Sequence, residues 1–196
     1  MNHAPVNDRR VIAETRAWVE RAVIGLNLCP FAKAPQVKGQ VHYAVSAATA
    51  VEGLLADLLQ ELRRLADTPA DRIETTLLMH PGVLTHFADY NDFLDLAEGA
   101  VAELKLEGVI QVASFHPDYQ FADSAPDDPA NASNRSPYPT LHLLREESID
   151  RAVAAFPEAE AIFEANIETM NRLGADAWAA LQQQCREDAD RADTSA

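Results

Sequence analysis

The sequence lacks the features that mark several large classes of protein. Its 196 residues include two cysteines, Cys29 and Cys185, without a CxxC pair or the spacing of zinc ligands. This argues against a disulfide framework and a zinc ribbon and favours a reducing compartment. No apolar run approaches the roughly 18 residues of a membrane span, and no signal-peptide pattern is found at the N-terminus. We therefore expect a cytoplasmic protein without a membrane partner.

Positive charge is scarce. The 16 lysines and arginines face 31 aspartates and glutamates, which gives a net charge of −15, and no basic cluster offsets it locally. Nucleic-acid binding depends on basic side chains that neutralise phosphates. We therefore expect no DNA or RNA partner.

Several familiar motifs are also absent. The chain contains no GxGxxG, GxxxxGK[ST], GxSxG or HExxH sequence. Their absence argues against Rossmann dinucleotide binding, P-loop phosphate binding, the α/β-hydrolase nucleophile and zincin chemistry.

Extended and helical patterns alternate along the middle of the chain. Strands are predicted over residues 40–46, 73–79, 109–115 and 141–145. Helical spacing of apolar residues lies before the first strand, between the first three strands and after the last. This order indicates a single α/β domain over residues 1–181, with a small, parallel or mixed sheet of about four strands covered by helices. Residues 182–196 are polar, and we expect them to form a frayed tail.

One long interval, residues 117–138, has four prolines near or within it and no periodicity. Loops of this length in compact domains are usually functional or disordered. Its ends are dense in aromatic, histidine, aspartate and arginine side chains, which favours an ordered functional loop over the carboxyl edge of the sheet.

Two histidines follow predicted strands, and each precedes a proline. His80 and His116 would therefore meet at the carboxyl edge if their strands are parallel, where open α/β sheets bind ligands. The alternative is that each ring only hydrogen-bonds within its turn. His142 lies inside an apolar strand, where a satisfied core histidine and a site residue are both compatible with the pattern.

Other residues could assist His116. Asp118 could orient its ring or make only an Asx turn. Cys29, in a turn beside Pro30, is either a small buried residue or a thiol that His116 activates as a base. If these residues form an active site, Cys29, His116 and Asp118 are its predicted catalytic residues.

Binding residues are predicted in and after the loop. Arg135 and Arg145 could hold a carboxylate or phosphate through their guanidinium groups, or could instead pair with neighbouring acidic residues. Asn134 and Tyr138 could add neutral hydrogen bonds. A small anionic molecule is the expected ligand.

Three blocks carry a family resemblance: GLNLCPFAK at 25–33, VIQVASFHPDYQFAD at 109–123 and NRSPYPTLHLLRE at 134–146. Together they resemble the bacterial family called domain of unknown function 1415. The resemblance implies that family members share Cys29-Pro30, the segment 116–118 and the segment 134–146. It carries no assigned reaction.

The functional hypothesis is a small cytoplasmic enzyme that acts on a small anionic metabolite. In one variant, His80, His116 and His142 bind a divalent transition metal. The alternative from another class is a non-catalytic binding or protein-interaction module that uses the 117–138 loop. The sequence leaves the oligomeric state open.

Overall fold

Helices cover both faces of a four-stranded sheet. The computed structural model describes residues 7–155 and 161–194. The strands are β1 (Val41–Val45), β2 (Thr75–Met79), β3 (Ile110–Phe115) and β4 (Thr140–Arg145). The helices are α1 (Asp8–Trp18), α2 (Lys33–Val37), α3 (Val51–Asp67), α4 (Phe87–Glu103), α5 (Glu146–Ala155) and α6 (Ile162–Thr194). Helix α1 continues as a π-helical segment (Val19–Ile24), and a 3₁₀ segment (Pro129–Asn134) precedes β4.

The sheet is mixed, with strand order β1-β2-β4-β3. Strand β2 is parallel to β1, and β4 is antiparallel to both of its neighbours. The prediction of a small α/β sheet with packed helices is confirmed. Strands β1, β2 and β3 run in the same direction, but β4 lies between β2 and β3, so the carboxyl ends of β2 and β3 are not neighbours.

Helices α3 and α4 pack on one face of the sheet. In α3, leucines recur at steps of three and four residues, which places them on one side of the helix. They are fully buried against strand residues of the same face, together with aromatic residues of α4: Leu54, Leu58, Leu62, Leu65, Leu78, Tyr90, Phe93, Leu141 and Leu143.

Helices α1 and α6 pack against each other near the opposite face. Helix α6 is kinked at Gly174, whose φ of 75° is non-helical, and its second part continues to Thr194 instead of fraying from Gln182. Cys185 and Ala189, four residues apart, are buried, and Asp188 pairs with Arg21 of the π-helical segment. Because Cys185 and Ala189 are small and stand among many polar residues, the sequence pattern does not indicate that this part of α6 is packed.

The long loop crosses the carboxyl edge of the sheet as an ordered segment. Asn131 is fully buried. Its Oδ1 accepts hydrogen bonds from Phe121 N and Ser124 Oγ at 3.0 and 2.8 Å, and its Nδ2 donates to Ala125 O at 2.8 Å. These hydrogen bonds satisfy the polar atoms of the Asn131 side chain with groups of the same loop.

No helix in the described part of the chain is long and apolar enough to cross a membrane.

Candidate functional site

The carboxyl edge holds two of the predicted site residues in a packed aromatic cluster. His80 and His116 are both fully buried, and the ring of Tyr90 contacts both, with centroid distances of 5.6 and 5.1 Å. Phe87 packs on His116 at 5.5 Å. Since β4 separates β2 from β3, the two imidazoles are joined through Tyr90 packing rather than through a shared open pocket.

Both ring nitrogens of His116 are engaged by the backbone. Nδ1 accepts a hydrogen bond from the Asp118 N–H at 3.0 Å, and Nε2 lies 3.2 Å from Leu84 O, which can only accept. The ring therefore carries its proton on Nε2, and burial lowers its pKa. Asp118 orients the ring through its backbone rather than its exposed carboxylate. His116 therefore has no ring nitrogen available for the predicted acid-base role.

His80 is also part of the framework. Its Nδ1 lies 3.0 Å from Val83 O and donates to it. Its Nε2 is buried without a hydrogen-bond partner among the described residues. Burial lowers the pKa of His80 to about 4, so the ring is neutral at pH 7.

The predicted binding residues of the loop are hydrogen-bonded within the protein. Arg135 donates to Tyr119 O at 3.2 Å and to Pro126 O at 2.8 Å, which ties the two ends of the loop together. The Asn134 carbonyl accepts from the His116 N–H. These groups hold the loop in place.

Tyr138 anchors the loop to α1. Its hydroxyl donates to Glu14 Oε2 at 2.7 Å, and burial together with this carboxylate raises the pKa of Tyr138. Glu14 is itself buried, and the tyrosine supplies a hydrogen bond to its carboxylate. Such a bond offsets part of the cost of burying the charge.

Arg145 lies at the opposite edge of the sheet from His116, since β4 runs antiparallel to β3. Its guanidinium donates to the carbonyl oxygens of Leu65, Thr68 and Ile73. It therefore caps the C-terminal end of α3, where a positive charge is favoured.

The three histidines of the metal hypothesis are not brought together. His142 lies in the middle of β4, paired with Leu77 and Ala113, whereas His80 and His116 lie at the edge. Among residues 7–155 and 161–194, no group of three or more His, Cys, Asp or Glu side chains is placed to hold a metal ion.

A cavity of about 900 Å³ lies on the sheet face that α3 and α4 do not cover. A pocket of this size fits the range of small-molecule sites. Its floor is formed by side chains of the three strands β2, β3 and β4: Thr75, Leu77, Gln111, Ala113, Phe115, His142 and Leu144. Its walls come from the end of α1, the π-helical segment, the segment from Cys29 to Pro35 that includes the start of α2, and α5. π-Helical segments recur at functional sites.

His142 is held in one tautomer on this floor. Its Nε2 lies 2.8 Å from Thr75 Oγ1, and the same hydroxyl lies 2.7 Å from Leu143 O. The carbonyl can only accept, so the single hydroxyl proton of Thr75 goes to Leu143 O. The hydroxyl oxygen then accepts from Nε2–H of His142. Both contacts are satisfied together when the imidazole proton is on Nε2.

The other ring nitrogen of His142 is left with a lone pair. Burial lowers the pKa of His142 to about 4, so the ring is neutral at pH 7. Nδ1 has no hydrogen-bond partner in the part of the chain that the structure describes. Phe115 packs on the ring at 5.9 Å. The cavity therefore contains a positioned hydrogen-bond acceptor.

Cys29 lines the same cavity as His142, and His116 is not among its described lining residues. The predicted Cys29–His116 pair is not formed, because both ring nitrogens of His116 are hydrogen-bonded to the backbone. Burial raises the pKa of the Cys29 thiol, and hydrogen bonds from the backbone of Phe31 and Ala32 offset part of this effect. The thiol is thus neutral at pH 7, with two backbone donors beside the sulfur.

Thr75 was not among the residues singled out from the sequence. It is buried, and its role depends on the pairing of Thr75 with Leu144 across β2 and β4. No local pattern in the sequence indicates that pairing, because the two strands are far apart along the chain.

These features define a small α/β protein with a mixed sheet and a ligand-sized cavity on one sheet face. The chain belongs to the family described as Protein of unknown function (DUF1415), whose model matches residues 10–180. This confirms the family resemblance of the three sequence blocks. No curated protein and no solved structure matches the chain significantly.

Proposed function

We propose that the protein is a small cytoplasmic enzyme whose substrate binds in the sheet-face cavity. His142 accepts a hydrogen bond at Nδ1 from an O–H, N–H or S–H group of the substrate. During the reaction, this proton moves to Nδ1 and its bonding electron pair stays on the substrate atom. The thiol of Cys29 lies in the same cavity, where a substrate that spans it contacts both residues.

The observation that carries this proposal is the state of His142. His142 is half-buried and lines the cavity, and its Nδ1 is not sealed in the protein interior as the unpartnered Nε2 of His80 is. Here the ring is fixed by Thr75, so that one nitrogen is satisfied and the other is not. The unpartnered nitrogen belongs to a residue that lines a cavity large enough for a small molecule. A substrate donor would complete its hydrogen bonding.

The proposed proton acceptor, His142, differs from the one that the sequence predicted. The hypothesis centred the enzyme on His116, whose nitrogens are both used by the backbone. The cavity keeps Cys29 and His142 from the original candidates and replaces His116 by His142 as the proton acceptor.

The test is conversion of small molecules from a metabolite extract, followed over time by mass spectrometry. We would compare the wild type with His142→Gln, which retains a donor towards Thr75 but lacks the bare ring nitrogen. Ala113→Phe fills the cavity floor beside His142. Val109→Phe is the matched control, because Val109 is exposed just before β3 and does not line the cavity.

We expect the wild type and Val109→Phe to deplete the same compound, whereas His142→Gln and Ala113→Phe do not. Equal depletion by all four proteins, or none by the wild type, would contradict an enzyme acting at this cavity. The alternative, a non-catalytic module that uses the 117–138 loop, predicts partner binding that loop variants abolish and His142→Gln leaves unchanged.

A further inference from the structure

The charges around the cavity differ from those of the chain as a whole. Among the lining residues that the structure describes, three are cationic and two are anionic: Lys38, Arg145, Arg151, Asp71 and Glu74. The chain as a whole carries a net charge of −15. The described lining residues therefore carry one net positive charge, in a protein that is otherwise strongly acidic.

Two of these cations are already engaged. Arg145 donates to the carbonyl oxygens at the end of α3. Arg151 lies 3.7 Å from Glu74 Oε1 and also pairs with Glu147, so its charge is balanced locally.

Lys38 differs from both arginines. It follows α2 at the rim of the cavity and is exposed. Its ammonium group has no hydrogen bond or ion pair within residues 7–155 and 161–194. Asp71, the remaining lining carboxylate, also has no ion pair in the described part, and it lies within 4.0 Å of no lysine or arginine nitrogen there.

The interior of the cavity is mainly apolar. Trp18, Val23, Phe31, Leu77, Phe115 and Ile149 line it. Such walls gain free energy from contact with apolar surface of a ligand, in proportion to the area removed from water. They offer little to a small, fully hydrated anion such as phosphate.

From the apolar walls, the acceptor on His142 and the free cation at the rim, we infer the class of substrate. We propose that it is an amphipathic monoanion with a flat or branched apolar body, a donor group that faces His142, and a negative group at Lys38. This inference rests on the proposed function, since it names the substrate class of the same cavity.

The test uses two fluorescent probes that differ in one group. 1-Anilinonaphthalene-8-sulfonate has an apolar aromatic body, an N–H donor and one negative charge. N-Phenyl-1-naphthylamine has the same body and donor without the sulfonate. Dissociation constants for both would be measured by fluorescence titration of the folded full-length protein at low and high salt.

We expect the sulfonate probe to bind more tightly than the neutral probe at low salt, with a difference that shrinks as salt screens the charge. Lys38→Gln should weaken binding of the sulfonate by about 2- to 5-fold, as for a single exposed ion pair, and leave the neutral probe unchanged. Lys33→Gln is the matched control, because Lys33 begins the same helix but does not line the cavity.

The result separates the two proposals. If both probes bind equally and Lys38→Gln changes neither affinity, the inferred anionic group is wrong, although the cavity still binds small molecules. If neither probe binds, or if Ala113→Phe leaves both affinities unchanged, the cavity is not the binding site and the proposed function fails with it. Weaker sulfonate binding in Lys33→Gln and Lys38→Gln alike would reflect general surface charge and would also overturn the assignment to Lys38.

Discussion

Histidines in two regions of this molecule differ in how many of their ring nitrogens the fold uses. At the carboxyl edge, His116 gives both nitrogens to the backbone and has none left. On the sheet face, His142 gives one nitrogen to a threonine and retains the other. The position of a histidine at a strand end thus says less about reactivity than the number of its nitrogens that the fold already uses.

The largest expected effect of a single substitution is the loss of stability on removing the edge histidine. His116→Ala deletes a fully buried ring and leaves Leu84 O and Asp118 N without their partner. We expect a loss of about 3–5 kcal/mol of unfolding free energy, from the cavity and the unsatisfied groups together. At about 2–4 °C per kcal/mol for a chain of this size, the melting temperature should fall by roughly 10 °C.

Urea denaturation and circular dichroism would measure this loss. His86→Ala is the control, because His86 is exposed at the start of α4 and makes no side-chain cap. A change below about 0.5 kcal/mol is expected there, as for ordinary surface positions. Equal stability of His116→Ala and His86→Ala would contradict the structural role of the edge histidine.

Acid should destabilise both regions. The pKa values of His80 and His142 are about 4 in the folded protein and 6.5 when unperturbed. Between pH 6.5 and 4, the unfolded chain binds a proton at each histidine that the folded protein does not bind. Stability is therefore unaffected by these groups above pH 6.5 and falls by about 1.4 kcal/mol per pH unit for each group as the pH decreases to 4.

This dependence is measured from urea midpoints at a series of pH values. Over the whole interval each histidine should contribute about 3 kcal/mol. His142→Gln should remove its share and make the curve shallower, whereas the His80 share persists. A variant curve parallel to that of the wild type would show that His142 titrates normally.

A smaller effect is expected from Thr75, which sets the tautomer of His142. Thr75→Val removes the acceptor of the Nε2–H group and should cost about 1–2 kcal/mol, whereas Thr75→Ser keeps the hydroxyl and most of the stability. The ¹⁵N chemical shifts of the His142 ring should report Nε2–H in the wild type and in Thr75→Ser. Unchanged ring shifts in Thr75→Val would show that Thr75 does not set the tautomer.

The smallest effect concerns the rate at which Cys29 reacts. Because burial raises the pKa of this thiol, iodoacetamide should alkylate it more slowly than free cysteine at pH 7, with a rate that rises as the pH increases. Cys185 is 1% exposed and serves as the internal control, for which we expect slower labelling still. Peptide mass spectrometry resolves the two sites, and labelling of Cys29 faster than free cysteine would show a resting thiolate instead.

Much of the fold was accessible from local patterns. The leucine stripe of α3 and the apolar run of β3 are patterns of neighbouring residues, so each could be read from its own segment of the sequence. The run of β3 is nevertheless only partly buried, because β3 lies at the edge of the sheet. The position of β4 was not accessible, because antiparallel insertion between β2 and β3 depends on pairing between distant segments.

The candidate site could also be predicted only in part, because contacts between distant segments are not visible in local patterns. Cys29 and His142 were recognised as candidates by residue type, and the structure places both at one cavity. Their association with Thr75 and Lys38 requires the register of the sheet and the path of the turn after α1. His116 was predicted as a site residue because ligands bind at the carboxyl ends of neighbouring parallel strands. That rule does not apply between β2 and β3, since the antiparallel strand β4 lies between them.

The central position of β4 also bears on how the chain folds. Strands β1 and β2 are joined by α3, and β3 and β4 by the ordered loop, so each pair can form from segments close in sequence. The β2–β4 seam joins the two halves and is the non-local step, which is expected to be slow. Until it closes, β2 and β4 each expose an unpaired edge that could pair with another chain. The slow closure of this seam therefore sets how long the newly made protein stays open to aggregation.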